Sequence, residues 1–513
     1  MKLREAFKRT ARCYPGKTAI ITDDDREFTY AEFDRRSTQL ANALFERIGS
    51  ARCAVLALNS PAAVESMIAG DKRGAGTVQL SFRADTAELV EMAEVAAARA
   101  LVFDDANAET ALEMLNCGLF ETAIHAGTES VDHESVDSYE TVLAEAADTL
   151  DDDLPVGDEC AVLYTSGTTS TPKAVSFDQE QLWYGAVQGV MEHGIDETDT
   201  ALCTTPWHHM VTTDAWLYPH FVAGATVVLH RSFDPEEALE LIEEYEITGL
   251  LAVPTQLSAI NGVQRKANYD VGSLSYIRTG GSIVSEDLIE ETSEQLTDQV
   301  WNTYGMTEAG PDLTFAHPSV QKERPGTVGK EAFTWEIRIV EETPFDEDPD
   351  PEATVDPGER GEIIARGPGM SDGYIDNDEA ESKTYFDGWL RTRDVARVDE
   401  DGYLHIIDRV DNMIVCGGEN IYPAEVERTL KEHPDVEECC VFGLDDDHWG
   451  EVVTAAVVTS ADLSADDLSV HCKESDGLAN FKRPREYCII GEPLPQTATG
   501  TVARQELIEQ YFE

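Results

Sequence analysis

Apolar residues recur at helical spacing through residues 29–46, the signature of one buried face on a 3.6-residue period. Short apolar runs at residues 54–58 and 100–103 follow, each the length of a buried strand, with helical stretches between them. This alternation predicts an α/β layered fold. The same rhythm returns downstream, with strands expected at 226–230 and 249–253 and helices at 235–244 and 286–296. No fixed-period repeat and no long low-complexity tract breaks it, which removes solenoids and propellers.

Two segments read as connectors: the acidic stretch 148–159 and the Pro- and Asp-rich stretch 341–358, the second as a surface loop. Beyond it, residues 361–366 and 402–407 read as strands with an aromatic and glycine cluster between them. The end of the chain carries its own helix (423–431), strands (441–443 and 452–458) and a terminal helix from Arg504. The simplest division is a large, multi-subdomain N-terminal domain, 1–410, and a small C-terminal α+β domain, 411–513, which the resemblance given below implies is mobile.

Composition sharpens this picture. With 513 residues, 42% of them hydrophobic, the chain buries a large core and divides into domains. Against 38 Lys and Arg stand 100 Asp and Glu, a formal charge of −62. That sign excludes a general electrostatic nucleic-acid binder and disfavours anionic membrane surfaces. The acids are dispersed rather than blocked, and only about a dozen of the basic residues are lysine. Such a surface suits molar salt, where a Debye length of about 3 Å screens carboxylates that would otherwise repel each other. No run of 18 apolar residues and no signal-peptide core is present, so a soluble, cytoplasmic protein is expected. Ten cysteines without CxxC pairs read as reduced, mostly buried thiols.

Candidate chemistry begins at Thr165-Ser166-Gly167-Thr168-Thr169-Ser170-Thr171-Pro172-Lys173, after the apolar residues 161–164. Hydroxyls, a glycine and a lysine after a strand suit phosphate oxygens. A Walker A loop is excluded because Pro172 replaces its second glycine and Ala174 its magnesium hydroxyl. Downstream lie Asn302-Thr303-Tyr304-Gly305-Met306-Thr307-Glu308, then Trp389-Leu390-Arg391-Thr392-Arg393-Asp394, then Asp408-Arg409-Val410-Asp411 running into Gly417-Gly418-Glu419-Asn420-Ile421-Tyr422-Pro423.

In this order and spacing the motifs resemble the adenylate-forming superfamily, specifically its AMP-forming acyl- and aryl-CoA synthetases. The resemblance extends from Phe28-Thr29-Tyr30 to residues 495–507. It implies that ATP activates a small-molecule carboxylic acid with magnesium present, and that coenzyme A then takes the acyl group. It gives Thr165, Ser166, Gly167, Thr168, Thr169, Ser170 and Lys173 to the pyrophosphate-gripping loop. Gly280, Gly281 and Ser282 line adenine and acyl group, and Asn302 and Gly305 belong to the nucleotide motif. There Tyr304 stacks on adenine, Thr307 meets the AMP phosphate and Glu308 holds magnesium. Asp394 and Arg409 reach the ribose, Asp411 is the hinge, and Gly417 and Gly418 border the pantetheine channel. Pro206-Trp207-His208-His209 resembles the segment whose histidine closes the acyl-carboxylate site, which assigns His209. A zinc role for the His-His pair lacks a third ligand at metal spacing. Asp214 sits in the wrong context to bind a substrate amine, so an acid without an α-amino group is expected, aromatic or of medium length.

Four departures matter. Ser170 and Ala174 stand where the family has glycine, and so does Arg393. Thr501 replaces the lysine that bridges carboxylate and α-phosphate during adenylation. Loss of one preorganised donor costs about 10²–10³ in rate, roughly 3–4 kcal/mol. Two readings follow: a synthetase impaired in adenylation, or a non-catalytic relative that binds adenylate or CoA as a sensor or partner subunit. Lys482, in Asn480-Phe481-Lys482-Arg483-Pro484, matches a family position near where CoA enters, not the missing lysine. Sequence alone fixes neither the acid nor the oligomeric state.

Overall fold

The computed structural model describes residues 1–512 except 130, 166–171, 283, 311, 345–346, 417–418, 447–448, 462, 476–477 and 496–501, with backbone alone at 411 and 420. The chain separates into two compact units, one of Met1–Ile337 with Ala365–Leu390 and one of Arg338–Ile364 with Arg391–Glu513.

The first unit is α/β, as the strand–helix rhythm predicts. Its nine-stranded sheet runs in the order Lys330–Glu331, Thr314–Ala316, Val300–Tyr304, Tyr276–Gly280, Gly249–Leu251, Thr200–Cys203, Thr226–Leu229, Thr18–Thr22, Glu27–Thr29. From Val300–Tyr304 to Thr18–Thr22 every pairing is parallel. A seven-stranded sheet orders Val136–Ser138, Thr122–His125, Ala98–Phe103, Arg52–Leu56, Thr77–Gln79, Glu159–Thr165, Lys173–Asp178, and only its last pair is antiparallel. Parallel strands are covered on both faces, so they read as continuous apolar runs such as Ala100-Leu101-Val102-Phe103, each fully buried.

Local signals explain the helices. The one expected at 29–46 forms as Tyr30–Ile48, with Thr29 accepting the Glu32 N–H while the Glu32 carboxylate accepts the Thr29 N–H. This reciprocal cap satisfies two end groups. Asp234 caps Pro235–Glu244, with proline at the first helical position, where its missing N–H costs nothing. The apolar run at 54–58 forms the strand Arg52–Leu56. It continues past the strand because Ala57 is buried in the following turn, where its carbonyl accepts the Trp207 indole N–H.

The second unit contains a mixed sheet in the order Glu419–Ile421, Ile414–Cys416, Gly450–Thr459, Val436–Asp446, with Glu486–Ile490 parallel to Gly450–Thr459. Helices Pro423–Lys431, Ala465–Glu474 and Arg504–Tyr511 complete it. This is the small α+β pattern expected near the end of the chain. All ten cysteines are unbridged, and Cys13 and Cys117 are the exposed ones. Among the described residues no helix is long and apolar enough to cross a membrane.

Candidate active site

In the first unit the candidate residues collect at the carboxyl ends of parallel strands, where open α/β sheets bind ligands. Tyr276–Gly280 and Val300–Tyr304 lie side by side, with Gly280 opposite Thr303. A Cβ at Gly280 would lie 2.4 Å from the Thr303 carbonyl oxygen, so only glycine fits, and Gly281 follows at φ +80° with open space in front of it. Gly281 and Ser282 are exposed. Asn302 is buried and donates to the Thr327 carbonyl at 3.1 Å, so its amide nitrogen tethers a neighbouring turn. Tyr304 is half-buried and ends its strand. Gly305 and Met306 lead into the short turn of helix Thr307–Ala309, which carries Glu308.

Thr165 and Lys173 face each other across the antiparallel pair Glu159–Thr165 and Lys173–Asp178. The loop between them holds Ser166, Gly167, Thr168, Thr169 and Ser170, which lie outside the described residues. The Lys173 ammonium sits 5.2 Å from the centre of the Tyr374 ring. The hydroxyl of Tyr374 donates to Glu308 Oε1 at 2.5 Å, and both residues are buried. Burial and the Glu308 carboxylate hold the Tyr374 phenol above its ordinary value, so it remains a donor. Sequence reasoning missed Tyr374. Its local signal was the Gly373-Tyr374 pair, with Gly373 at φ +130°.

His209 follows the strand Thr200–Cys203. Asn59 fixes this turn: its side-chain nitrogen donates to the carbonyls of Thr205 at 3.0 Å and His230 at 2.9 Å, and its oxygen accepts the Trp207 N–H at 2.7 Å. Trp207 is wholly buried as an anchor. Burial, helped by the Arg83 charge, pushes His209 down to about 4, leaving a neutral imidazole at ordinary pH. His208 is buried against Phe82 and His209, and neither of its ring nitrogens has a hydrogen-bond partner among the described residues. Asp214 lies wholly buried in the π-helical turn Thr213–Leu217, bonded to the Thr213 hydroxyl at 2.7 Å.

The second unit holds Asp394 and Arg409, directly opposite each other on the antiparallel strands Trp389–Val398 and Leu404–Arg409. Arg409 Nε lies 3.4 Å from Asp394 Oδ1. Arg393 adopts φ +64°, the left-handed conformation that glycine takes without cost. Asp408, which the motif reading passed over, organises the turn containing Asp411. Its carboxylate accepts the Arg409 N–H at 2.7 Å, the Asn412 amide at 2.9 Å and the Ala424 N–H at 2.7 Å at the start of helix Pro423–Lys431. Lys482 donates to both carboxylate oxygens of Glu425 at 2.8 and 2.6 Å. Gly417, Gly418 and Thr501 lie outside the described residues.

Among the described residues no three His, Cys, Asp or Glu side chains cluster as metal ligands. A lone carboxylate such as Glu308 fits magnesium, a hard cation that keeps several waters and substrate phosphates in its shell. Lys173, on the same Tyr374 ring, is a cation of the kind that suits phosphate oxygens.

Known proteins resemble this chain along nearly its whole length. The profile of the AMP-binding enzyme family matches residues 7–375, and that of the AMP-binding enzyme C-terminal domain matches residues 425–501. A feruloyl-CoA synthase from Amycolatopsis sp is 34% identical over 510 residues, covering 98% of each chain. An indoleacetate–CoA ligase from Aromatoleum aromaticum is 33% identical over 99% of this chain and 98% of its own. Among solved structures, the o-succinylbenzoate CoA synthetase of Bacillus subtilis superposes with a TM-score of 0.83 at 29% identity, covering 98% of this chain and 97% of its own with its acyl-adenylate bound. The same enzyme in complex with ATP and magnesium gives the same score.

Proposed function

The chain belongs to the AMP-binding enzyme family, and from that premise we infer that it is an AMP-forming carboxylate–CoA ligase. Its cofactors are ATP, magnesium and CoA. In the first half-reaction a carboxylate oxygen bonds to the α-phosphorus while the bond to the β-phosphate oxygen breaks, and pyrophosphate leaves with the electron pair. In the second, the CoA sulfur bonds to the acyl carbon, AMP leaves with the electron pair, and the thiol proton passes to solvent.

Lys173, Thr165 and the loop residues Ser166 to Ser170 grip the triphosphate, Thr307 meets the α-phosphate, and Tyr304 stacks on adenine. Glu308 holds magnesium, which when bound neutralises charge on the leaving pyrophosphate. Neutral His209 hydrogen-bonds the acid without pairing away the negative charge that makes its carboxylate a nucleophile. Gly280, Gly281 and Ser282 line the acyl side, and Asn302 supports the nucleotide segment through its turn. Asp394 and Arg409 serve the ribose, Asp411 is the hinge between domains 1–410 and 411–513, and Gly417-Gly418 borders the pantetheine path. The acid is an aryl or arylalkanoic one, since feruloyl, indoleacetate and succinylbenzoate relatives share an aromatic acyl group. The acid-rich surface supports the reading of an enzyme that works in a cytoplasm of high salt.

The observation that carries a catalytic over a purely binding reading is the contact set Lys173–Tyr374–Glu308, which keeps a phosphate cation and a metal carboxylate on one buried ring. Acid-dependent release of pyrophosphate in molar KCl, assayed with aliphatic and aromatic acids, tests it. No release with any acid leaves the sensor or partner-subunit reading.

A further inference from the structure

Tyr374 belongs to none of the motifs read from the sequence, yet its backbone is fixed from two directions. Ser371 donates its N–H to the Glu308 carbonyl at 3.0 Å, which ties the segment to the turn bearing Glu308. Tyr374 pairs with Val175, and Ile375 donates to the Ala174 carbonyl at 2.9 Å, which ties it to the strand that begins at Lys173. Gly373 allows this course: a Cβ there would lie 2.4 Å from a Glu381 carboxylate oxygen, and Glu381 accepts the Tyr374 N–H at 3.3 Å. Residues 371–375 therefore strap the Glu308 turn to the Lys173 strand. The phenol that the strap delivers offers its hydroxyl to Glu308 and its ring face to Lys173.

We propose that Tyr374 is the positioning residue of the magnesium site, holding the Glu308 carboxylate in one orientation and keeping it from pairing with Lys173. The proposal rests on Glu308 being the magnesium ligand. A carboxylate and an ammonium on adjacent elements gain by direct contact, and that contact would spend both charges on each other. A phenol takes the carboxylate through a hydrogen bond from an uncharged donor and the ammonium through the negative face of its ring, so each charge remains for the metal and the phosphates. Partners that orient a metal-binding carboxylate are typically worth 10- to 100-fold in metal affinity.

The test is calorimetric titration of ATP, with and without magnesium, into the wild type, Tyr374→Phe, Glu308→Gln and the double variant. Phenylalanine keeps the ring beneath Lys173 and removes only the hydroxyl. The expected result is metal-free ATP affinity equal to wild type and MgATP affinity lower by about 10-fold. Glu308→Gln should abolish the gain from magnesium, and the double variant should match it. Equal weakening with and without magnesium would mark a merely structural role and overturn the proposal, as would unchanged MgATP affinity in Tyr374→Phe. If instead Glu308→Gln keeps the full magnesium gain, the metal assignment of Glu308 fails and the proposal falls with it, a result separable from a null in Tyr374→Phe alone. Thermal unfolding checks each fold. Should Tyr374→Phe not fold, Gly373→Ala, which disturbs the strap where a Cβ would meet the Glu381 carboxylate, must lower the magnesium gain in the same direction, and an unchanged gain overturns the proposal.

Discussion

Thr501 and Asp214 show what a single residue discloses in sequence and what it withholds. Thr501 is legible as a departure because the motif around it specifies a lysine, and the physics of a lost cation follows without coordinates. Restoring it with Thr501→Lys is expected to speed adenylation by up to about 10²-fold. Attack of CoA on preformed acyl-adenylate should barely change, and assaying the half-reactions separately checks both statements. Asp214 stands out in sequence only as an acid in the wrong context to bind a substrate amine, and the fold reveals that it is wholly buried, with Oδ1 unpartnered among the described residues. Burial pushes its carboxyl up to about 8, with Asp71, itself raised to about 7, acting in the same direction. The folded protein then holds a proton that the unfolded chain releases above its ordinary 3.8. This contribution to stability is complete below that value and is lost as pH rises through about 8. Asp214→Asn removes the titrating group. Its unfolding free energy relative to wild type, from urea titrations in molar KCl, is expected to grow from about pH 5 to pH 8, whereas a constant difference would mean the carboxylate is already charged in the fold. Tyr374 and Asn59 stayed hidden for a similar reason: each acts through partners distant in sequence, and no local spacing announces them.

At the scale of elements, legibility followed burial pattern. The helix Pro235–Glu244 and the helix Pro423–Lys431 form at the residues expected, because proline at the first turn marks where each begins. The strand expected at 441–443 is Val436–Asp446, more than twice as long. Its ends carry Glu437, Glu438, Asp445 and Asp446, and an acid-rich exposed flank erases the apolar signal while leaving the backbone ladder intact. The expected strand at 249–253 stops at Leu251, since Ala252 and Val253 lead into a helix opened by Pro254. The π-helical turn Thr213–Leu217 had no sequence signature at all. Glycine positions bridge the two levels. In sequence Gly280 reads, through the resemblance, as a position where a missing side chain lets a ligand approach, but the structure adds that the neighbouring strand brings the Thr303 carbonyl to where a side chain would begin. Gly280→Ala must therefore push two parallel strands apart, and a loss of about 1–3 kcal/mol is expected, the ordinary cost of overpacking. Chemical denaturation measures it, and an unchanged midpoint would mean the strands yield freely at this end.

Across the whole molecule the charge balance becomes an argument about where the few cations went. Of the 38 Lys and Arg, several sit in buried pairs: Arg278 with Asp312, Arg391 with Glu362 and Arg36 with Glu65. Breaking such a pair strands a buried charge, so these cations are committed to the interior. The surface is left with carboxylates far in excess of partners, a feature visible in composition, although the sequence could not say which cations the core had taken. Screening acts on the exposed charges and hardly on the buried pairs. Salt should therefore relieve the repulsion between surface acids while leaving the interior pairs intact, and the net effect must be stabilising. The unfolding temperature is expected to rise steadily from about 0.1 M to about 2 M KCl, over which the Debye length shrinks from about 10 Å to below 3 Å. Most of the rise should come early, while the screening length still exceeds the spacing of neighbouring carboxylates. Equal unfolding temperatures at the two ends of the range would mean that the surface acids do not repel one another appreciably, and the high-salt reading would fail.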